Sequence, residues 1–136
     1  MICLDTNAVI SALNQRTSPV LTRIEDAIAS GATLAIASIV LFELWYGVAK
    51  SAKQDFNRKR LETFLSGPVL ILPFEEADSR VAGTLRAALE ASGKPIGAYD
   101  LLIAGQALRH HLTLVTSNVA EFSRVKGLSW EDWAKP

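Results

Sequence analysis

Three carboxylic acids stand in otherwise apolar segments of the sequence. Asp5 directly follows the run ICL, Glu43 interrupts the segment IVLFELWY, and Asp100 begins the segment DLLIAGQAL. Helical spacing from Asp100 reaches Ile103 and Ala104, so its side chain is expected on an apolar helix face. A carboxylate that faces a core is costly unless a positive or hydrogen-bonding group meets it. The placement of these acids therefore indicates that each has a partner.

Singly, each acid has an ordinary structural explanation. Asp5 can cap a loop, Glu43 can pair with a lysine, and Asp100 can favour a helix N-terminus through the helix dipole. Held together they would repel, because at ~4 Å and an effective dielectric constant of about 20 each ionised pair costs roughly 4 kcal/mol. A shared proton with a raised pKa relieves this repulsion, and so does a hard divalent cation. Carboxylate ligands favour Mg²⁺ or Mn²⁺, whereas His110 and His111 are expected to be solvated at the far end of their helix.

Strands alternate with helices along the sequence. Short apolar runs predict strands at 1–6, 33–38, 69–72 and 112–117, with a further short strand at 128–133. Apolar spacing predicts helices over 18–29, 39–50, 55–65, 75–91 and 98–111, with Ser38 as the N-cap of the second. This alternation is typical of an α/β fold with a mostly parallel sheet of four to five strands, covered by helices on both faces.

The predicted sheet brings the three acids toward one edge. Asp5 ends the first strand, while Glu43 and Asp100 lie in the early turns of helices that begin near the carboxyl ends of strands. Polar residues follow two strands at the same edge: Thr6 and Asn7 after the first, and Thr116, Ser117 and Asn118 after the fourth, with Glu121 close by as a possible fourth acid. These residues either satisfy loop backbone groups or hold metal-bound waters and a phosphate oxygen.

Composition limits the classes of function. The 136 residues predict a single domain over 1–136, since no repeat or linker divides them. Lysine plus arginine equals aspartate plus glutamate at 14 each, which argues weakly against a nucleic-acid partner. The single cysteine, Cys3, is expected to be a buried thiol in a reducing cytoplasm. We expect neither a signal peptide nor a membrane span, because the N-terminus is acidic and no apolar run approaches ~20 residues.

Four sequence blocks resemble a known family. The blocks CLDTN, ASIVLFELWYG, PIGAYDLLIAGQA and LTLVTSNVAEFSRVKGL occur in the order and spacing of PIN-domain ribonucleases, and most closely resemble VapC toxins of toxin–antitoxin pairs. The resemblance covers nearly the whole chain. It implies a three-layer α/β/α fold, metal-dependent endonuclease action on RNA, an antitoxin partner and toxin homodimers.

The resemblance also implies roles for individual residues. It marks Asp5, Glu43 and Asp100 as the acids that bind Mg²⁺ or Mn²⁺, with Thr6 and Thr116 beside them. Asn118 departs from the family pattern, which often has a fourth acid there, so Glu121 or water would have to complete the site. Gly105 stands where the family commonly has alanine, and we expect it only to loosen the packing slightly.

The sequence is compatible with three functions. The first is metal-dependent RNA hydrolysis, in which a basic cluster after the Glu43 helix either grips RNA or is simply solvated; the cluster comprises Lys50, Lys53, Arg58, Lys59 and Arg60. The second is a phosphatase with Asp5 as nucleophile, a chemistry that calls for an acid where Asn7 stands. The third is a catalytically weak PIN fold that binds partners through exposed aromatic residues.

Overall fold

The computed structural model describes residues 1–14 and 18–135. Its strands are β1 (Ile2–Leu4), β2 (Leu34–Ala37), β3 (Val69–Leu72), β4 (Thr113–Val115) and β5 (Ser129–Glu131). Its helices are α1 (Thr6–Asn14), α2 (Pro19–Ala29), α3 (Ser38–Ala49), α4 (Gln54–Leu65), α5 (Glu76–Ala91), α6 (Ala98–Arg109) and α7 (Val119–Phe122). The strands alternate with helices as the sequence pattern predicts, and the short fifth strand is present.

The strands form one parallel sheet in the order β3-β2-β1-β4-β5. Cys3 of β1 lies opposite Ala35 of β2 and Leu114 of β4, and all three residues are buried. Apolar residues on both faces suit strands that helices cover from both sides. The chain order reverses between β1 and β4, so the carboxyl ends of these two strands border the crevice where open α/β sheets bind ligands. The predicted α/β fold with helices flanking a parallel sheet is confirmed.

Helix α1 lies where the sequence pattern predicted no helix. It begins at Thr6, directly after β1, and buries Ala8, Val9 and Ala12 at helical spacing. The polar residues that follow β1 suggested a loop, but the helix starts within them. As a result, the chain turns away from the sheet immediately after Asp5, and Asp5 stays fixed at the strand end.

The prediction of Ser38 as the N-cap of α3 is wrong. Ala37 occupies the N-cap position and Ser38 is the first helical residue. The Ser38 hydroxyl instead accepts a hydrogen bond from the backbone N–H of Phe74 at 3.2 Å. It therefore links the start of α3 to the segment that follows β3, a tertiary contact that local capping preferences do not reveal.

Helices α5 and α6 pack closely against each other, and Gly105 makes this approach possible. A Cβ atom at Gly105 would lie 2.8 Å from the Cβ and 2.9 Å from the Cα of Ala82. The expectation that this glycine only loosens the packing is therefore wrong. Gln106 fixes the same helix to the end of β3, because its Nε2 donates to the carbonyl oxygens of Leu72 and Pro73 at 3.0 and 3.1 Å.

A buried ionic cluster joins the start of α5 to the end of α6. Asp78 is fully buried; its Oδ2 accepts the Glu75 backbone N–H at 2.7 Å and its Oδ1 accepts from Arg109 Nε. His110 Nε2 lies 3.8 Å from Asp78 Oδ1. His110 is thus half-buried beside this cluster rather than solvated, whereas His111 is exposed as expected.

The C-terminal segment is anchored to the body of the molecule. Trp133 is buried, its Nε1 donates to Glu131 Oε1 at 3.0 Å, and the Arg23 guanidinium lies 5.2 Å from its ring centroid. Cys3 is a buried free thiol, as predicted. Across 1–14 and 18–135, the structure contains no helix with the length and apolar character that a bilayer crossing requires.

Candidate active site

Asp5 lies at the carboxyl end of β1, next to the point where the strand order reverses. It is buried, and both of its carboxylate oxygens accept hydrogen bonds from uncharged groups. Oδ1 accepts the Thr6 backbone N–H at 2.8 Å, and Oδ2 accepts the Thr116 hydroxyl at 2.7 Å. Because Thr116 directly follows β4, the parallel pairing of β1 with β4 delivers this donor to Asp5. These two hydrogen bonds hold the carboxylate in one orientation.

Glu43 reaches the same edge from α3. Its Oε1 accepts the Thr6 hydroxyl at 2.8 Å, and its side chain is half-buried. Thr6 therefore contacts two of the predicted acids, Asp5 through its backbone N–H and Glu43 through its hydroxyl. The start of α1, which the sequence analysis missed, provides this link.

Asp100 lies in the first turn of α6 and is half-buried. Its Oδ2 accepts a hydrogen bond from Asn118 Nδ2 at 2.9 Å, and the same nitrogen donates to Glu121 Oε2 at 3.1 Å. Glu121 Oε1 in turn accepts the backbone N–H of Gly97 at 3.2 Å. Gly97 is not among the predicted site residues, although a residue directly before a helix has a free backbone N–H.

The four acids are connected by one chain of hydrogen bonds. From Glu43 it passes through Thr6 to Asp5, through Thr116 to Asn118, and from Asn118 to Asp100 and Glu121. The link between Thr116 and Asn118 is the Asn118 backbone N–H, which donates to Thr116 Oγ1 at 3.0 Å. Within residues 1–14 and 18–135, no three His, Cys, Asp or Glu side chains lie close enough to hold a cation directly. Thr6 connects Glu43 to Asp5, and Thr116 with Asn118 connects Asp5 to the pair of Asp100 and Glu121.

Burial and mutual charge control the ionisation of this cluster. Burial raises the pKa of Asp5, and the hydrogen bonds from Thr116 and Thr6 offset only part of the effect. Burial, a hydrogen bond with Glu121 and the negative charges of Asp5, Glu121 and Glu43 raise the pKa of Asp100 to about 8. The same hydrogen bond with Asp100 lowers the pKa of Glu121. Asp100 and Glu121 thus compete for one proton.

The composition of the cluster suits a hard divalent cation. Among the residues that the structure describes, none of the four acids forms an ion pair with lysine, arginine or histidine. The available donors are carboxylate, hydroxyl and amide groups, which suit Mg²⁺ and Mn²⁺ better than softer metals. Mg²⁺ retains several waters in proteins, so acids separated by short polar side chains can share one ion through its hydration shell.

The predicted basic cluster is only partly available for RNA. Arg58 forms ion pairs with Asp55 and Glu62 on its own helix, at 3.2 and 3.6 Å. Arg60 donates to Asn14 Oδ1 and lies over the Phe56 ring at 5.1 Å. The Lys50 ammonium lies 5.2 Å from the centroid of the Tyr46 ring, whereas Lys53 and Lys59 are exposed. These five residues have separate local contacts, and an RNA role for them stays a prediction.

Known proteins resemble this chain along almost its whole length. The PIN domain family matches residues 2–128. Ribonuclease VapC2 of Rickettsia felis is 42% identical over 132 residues, 97% of each chain, and the tRNA(fMet)-specific endonuclease VapC of Shigella flexneri is 36% identical over 131 residues, 96% of each. A crystal structure of VapBC2 from Rickettsia felis bound to a promoter DNA fragment aligns with a TM-score of 0.91 and 42% identity, covering 98% of this chain and 99% of that one. The chain therefore belongs to the PIN domain family, among the VapC ribonucleases.

Proposed function

We propose that this chain is a divalent-metal-dependent endoribonuclease that acts as the toxin of a toxin–antitoxin pair. The observation that carries the proposal is the hydrogen-bonded chain that joins Asp5, Glu43, Asp100 and Glu121 at the carboxyl ends of β1 and β4. The ribonuclease and endonuclease names of its relatives support RNA as the substrate. The proposal assigns this activity to one domain over 1–136 and to the cytoplasm.

In this proposal the metal is Mg²⁺ or Mn²⁺, and Asp5, Asp100 and Glu43 are the acids that hold it. When bound there, the ion would supply charge for the scissile phosphate and would lower the pKa of a coordinated water. Thr6 and Thr116 keep the two Asp5 oxygens in a fixed direction through their hydrogen bonds. Glu43, half-buried and held by the Thr6 hydroxyl, orients the attacking water.

The antitoxin is expected to cover a groove beside Glu43. The groove has a volume of ≈ 200 Å³ and lies between α1, α3 and α4. Its lining residues are Ile10, Leu13, Asn14, Glu43, Leu44, Gly47, Val48, Asn57, Arg60 and Leu61. An apolar peptide segment suits most of this lining, and a basic side chain of that segment would meet Glu43. A partner bound in this way would block access to Glu43.

A homodimer is the second assembly that the proposal includes. Phe42, Tyr46 and Tyr99 are each more than half exposed, and Trp45 is 36% exposed on the same helix as Phe42 and Tyr46. The Phe42 and Tyr99 rings form an edge contact with centroids 5.6 Å apart. Exposed aromatic residues that adjoin one another are typical of protein interfaces. This aromatic patch supports association with a second copy.

The proposed activity is tested by sequencing RNA ends after brief expression of the wild type and of Asp100→Ala. Discrete new 5′ ends are expected for the wild type and none for the variant. The matched control is Arg86→Ala, which breaks only an exposed ion pair with Glu90 and should leave the cleavage pattern unchanged. The purified wild type should cut RNA with Mg²⁺ or Mn²⁺ and stop in EDTA.

Two results would contradict the proposal. Cleavage that continues in EDTA would exclude the metal mechanism, and a trapped aspartyl-phosphate on Asp5 would favour the phosphatase instead. The Asn7 side chain, where that phosphatase chemistry needs an acid, accepts the Ser117 backbone N–H at 3.2 Å. Asn7 thus contributes to loop structure, which leaves the phosphatase without its second carboxylate.

A further inference from the structure

Asn118 stands at a position that helix capping alone does not explain. It is the N-cap residue of α7, yet its side chain makes no capping hydrogen bond. An asparagine at an N-cap ordinarily accepts a backbone N–H from the first turn with its side-chain oxygen. Here Nδ2 of the amide is directed to two carboxylates instead, Asp100 at 2.9 Å and Glu121 at 3.1 Å. The side chain therefore makes tertiary hydrogen bonds in place of a local capping hydrogen bond.

The amide nitrogen carries two hydrogens, which is one for each of the two carboxylates. An aspartate at 118 would be an acceptor only and would add a third negative charge between Asp100 and Glu121. The Asn118 backbone N–H also donates to Thr116 Oγ1, which itself donates to Asp5. Asn118 therefore connects both sides of the site, Asp5 through its backbone and Asp100 through its side chain.

Glu121 is fixed from two directions. Its Oε2 accepts from Asn118, and its Oε1 accepts the Gly97 backbone N–H at the start of α6. Its separation from Asn118 is three residues, which within α7 corresponds to about one helical turn. The carboxylate is therefore returned to the site from the next turn, although residue 118 itself is uncharged.

We propose that Asn118 is a positioning residue that holds Asp100 and Glu121 in one geometry at the proposed cation site, of which Glu121 is the possible fourth acid. This inference rests on the proposed metal-dependent function. It predicts that the amide acts through these two carboxylates and not through the stability of α7. Its two hydrogens offset the repulsion between the acids when both are ionised.

The test compares Asn118→Asp with Asn118→Ala. Asp and Asn are equally good N-cap residues, so a purely capping role predicts no change of the melting temperature for Asn118→Asp. The positioning role predicts a lower melting temperature in EDTA, with recovery when MnCl₂ is added. Gln54→Glu is the control, because it introduces the same charge at the exposed start of α4, where the Gln54 amide donates to the Ala49 carbonyl oxygen.

Binding of Mn²⁺ alone, measured by calorimetry, provides the second readout. Loss of residues that orient metal ligands typically weakens metal affinity 10- to 100-fold, so Asn118→Ala should raise the dissociation constant for Mn²⁺ by about tenfold. In a Glu121→Gln background, Asn118→Ala should change the dissociation constant for Mn²⁺ much less, since Asn118 would then have only Asp100 to hold. Additive effects of the two substitutions would overturn the proposal, because independent residues add and coupled residues do not.

The outcomes separate this inference from the proposed function. A wild type that neither binds Mn²⁺ nor cuts RNA would refute the proposed function, whereas the melting temperature of Asn118→Asp in EDTA would still test the positioning role. A wild-type melting temperature for Asn118→Asp in EDTA, together with wild-type Mn²⁺ affinity for Asn118→Ala, would overturn the inference even if RNA cleavage is confirmed.

Discussion

Two buried aspartates, Asp5 and Asp78, have opposite partners. The Asp5 carboxylate accepts hydrogen bonds from neutral groups of Thr6 and Thr116, and burial raises its pKa. Burial alone would also raise the pKa of Asp78, but the hydrogen bonds from Arg109 and the Glu75 backbone, together with the nearby positive charge, outweigh it and hold that pKa below its usual value. One buried carboxylate is compensated by a cation of the protein itself, and in the proposed function the other is compensated by the metal ion that it holds.

Whether a buried carboxylate has a cationic partner distinguishes a structural role from a functional one more clearly than its burial does. A buried charge that is paired internally stabilises the arrangement that pairs it, since removing one partner leaves the other unpaired. A buried charge with neutral donors is costly until a cation arrives, and perturbed carboxylates of this kind cluster at functional sites. Helix α6 contributes to both regions, because Asp100 of the acidic cluster lies in its first turn and Arg109, the partner of Asp78, is its last residue.

Asp5→Asn is expected to have the largest effect of these substitutions, a loss of RNA cleavage. Loss of a metal ligand removes several kcal/mol of transition-state stabilisation. Because each 1.36 kcal/mol changes a rate tenfold, the cleavage rate should fall by roughly 10³-fold or more. The variant should still fold, because it removes a costly buried charge. A gel-based cleavage assay with MnCl₂ measures the rate, and Asp55→Asn, which lies in an exposed ion pair, is the control. Full activity of Asp5→Asn would abolish the distinction between the two aspartates.

Asp78→Asn is expected to lower the stability of the fold, whereas Asp5→Asn lowers activity. Breaking a buried ion pair costs about 3 kcal/mol, because Arg109 loses its partner; its partial exposure to water keeps the loss at the low end. Urea denaturation measures this change in the free energy of unfolding. Glu76→Gln, which removes an exposed pair with Arg80, should cost less than about 1 kcal/mol. Unchanged stability of Asp78→Asn would show that the cluster is not structural.

The sequence contained enough information to predict the parallel sheet and the meeting of its polar strand ends. Apolar runs and helical spacing are local signals, and the carboxyl ends of parallel strands meet by topology alone. Asp5 and Thr116 therefore lie together as β1 and β4 pair. Helix α1 could also have been found, because Ala8, Val9 and Ala12 have helical spacing, but the polar residues at its start suggested a loop.

Other features depend on tertiary contacts that no local pattern encodes. Asp78 looks like an ordinary acid in the first turn of an exposed helix, and only the packing of α5 on α6 brings Arg109 to it. Ser38 has the residue type of an N-cap but serves the backbone of Phe74. The role of Gly105 requires knowledge of where Ala82 lies, and the amide of Asn118 requires knowledge of where Glu121 points.

A smaller effect is expected of Gly105→Ala, which strains the helix that links the two regions. The added methyl would meet Ala82 at 2.8 Å, and overpacking of this kind costs about 2 kcal/mol, more than the gain in helix propensity. Gly83→Ala is the control, because a Cβ there has no neighbour within 4 Å and should be neutral or stabilising. The companion substitution Ala82→Gly should restore part of the loss in urea denaturation. Wild-type stability of Gly105→Ala would show that the two helices can move apart freely.

The smallest effect is expected in the pH dependence of stability, where the two regions should differ in sign. The pKa of Asp100 is about 8 in the folded protein and about 3.9 in an unfolded chain, so its favourable contribution is present below about pH 4 and is lost as pH rises toward 8. Asp78 has a lowered pKa, so its contribution is present above about pH 4 and is lost as pH falls through its folded pKa.

Urea denaturation in EDTA from pH 3 to about pH 9 separates the contributions of Asp100 and Asp78 to the free energy of unfolding. Asp100→Asn should flatten only the alkaline limb and Asp78→Asn only the acidic limb, while MnCl₂ should restore the alkaline limb of the wild type. Because Asp100 is half-buried, solvent screens its charge and keeps the change modest. Identical limbs in all three proteins would mean that neither carboxylate differs from a surface acid, and the contrast between a compensated and an uncompensated aspartate would then have no energetic content.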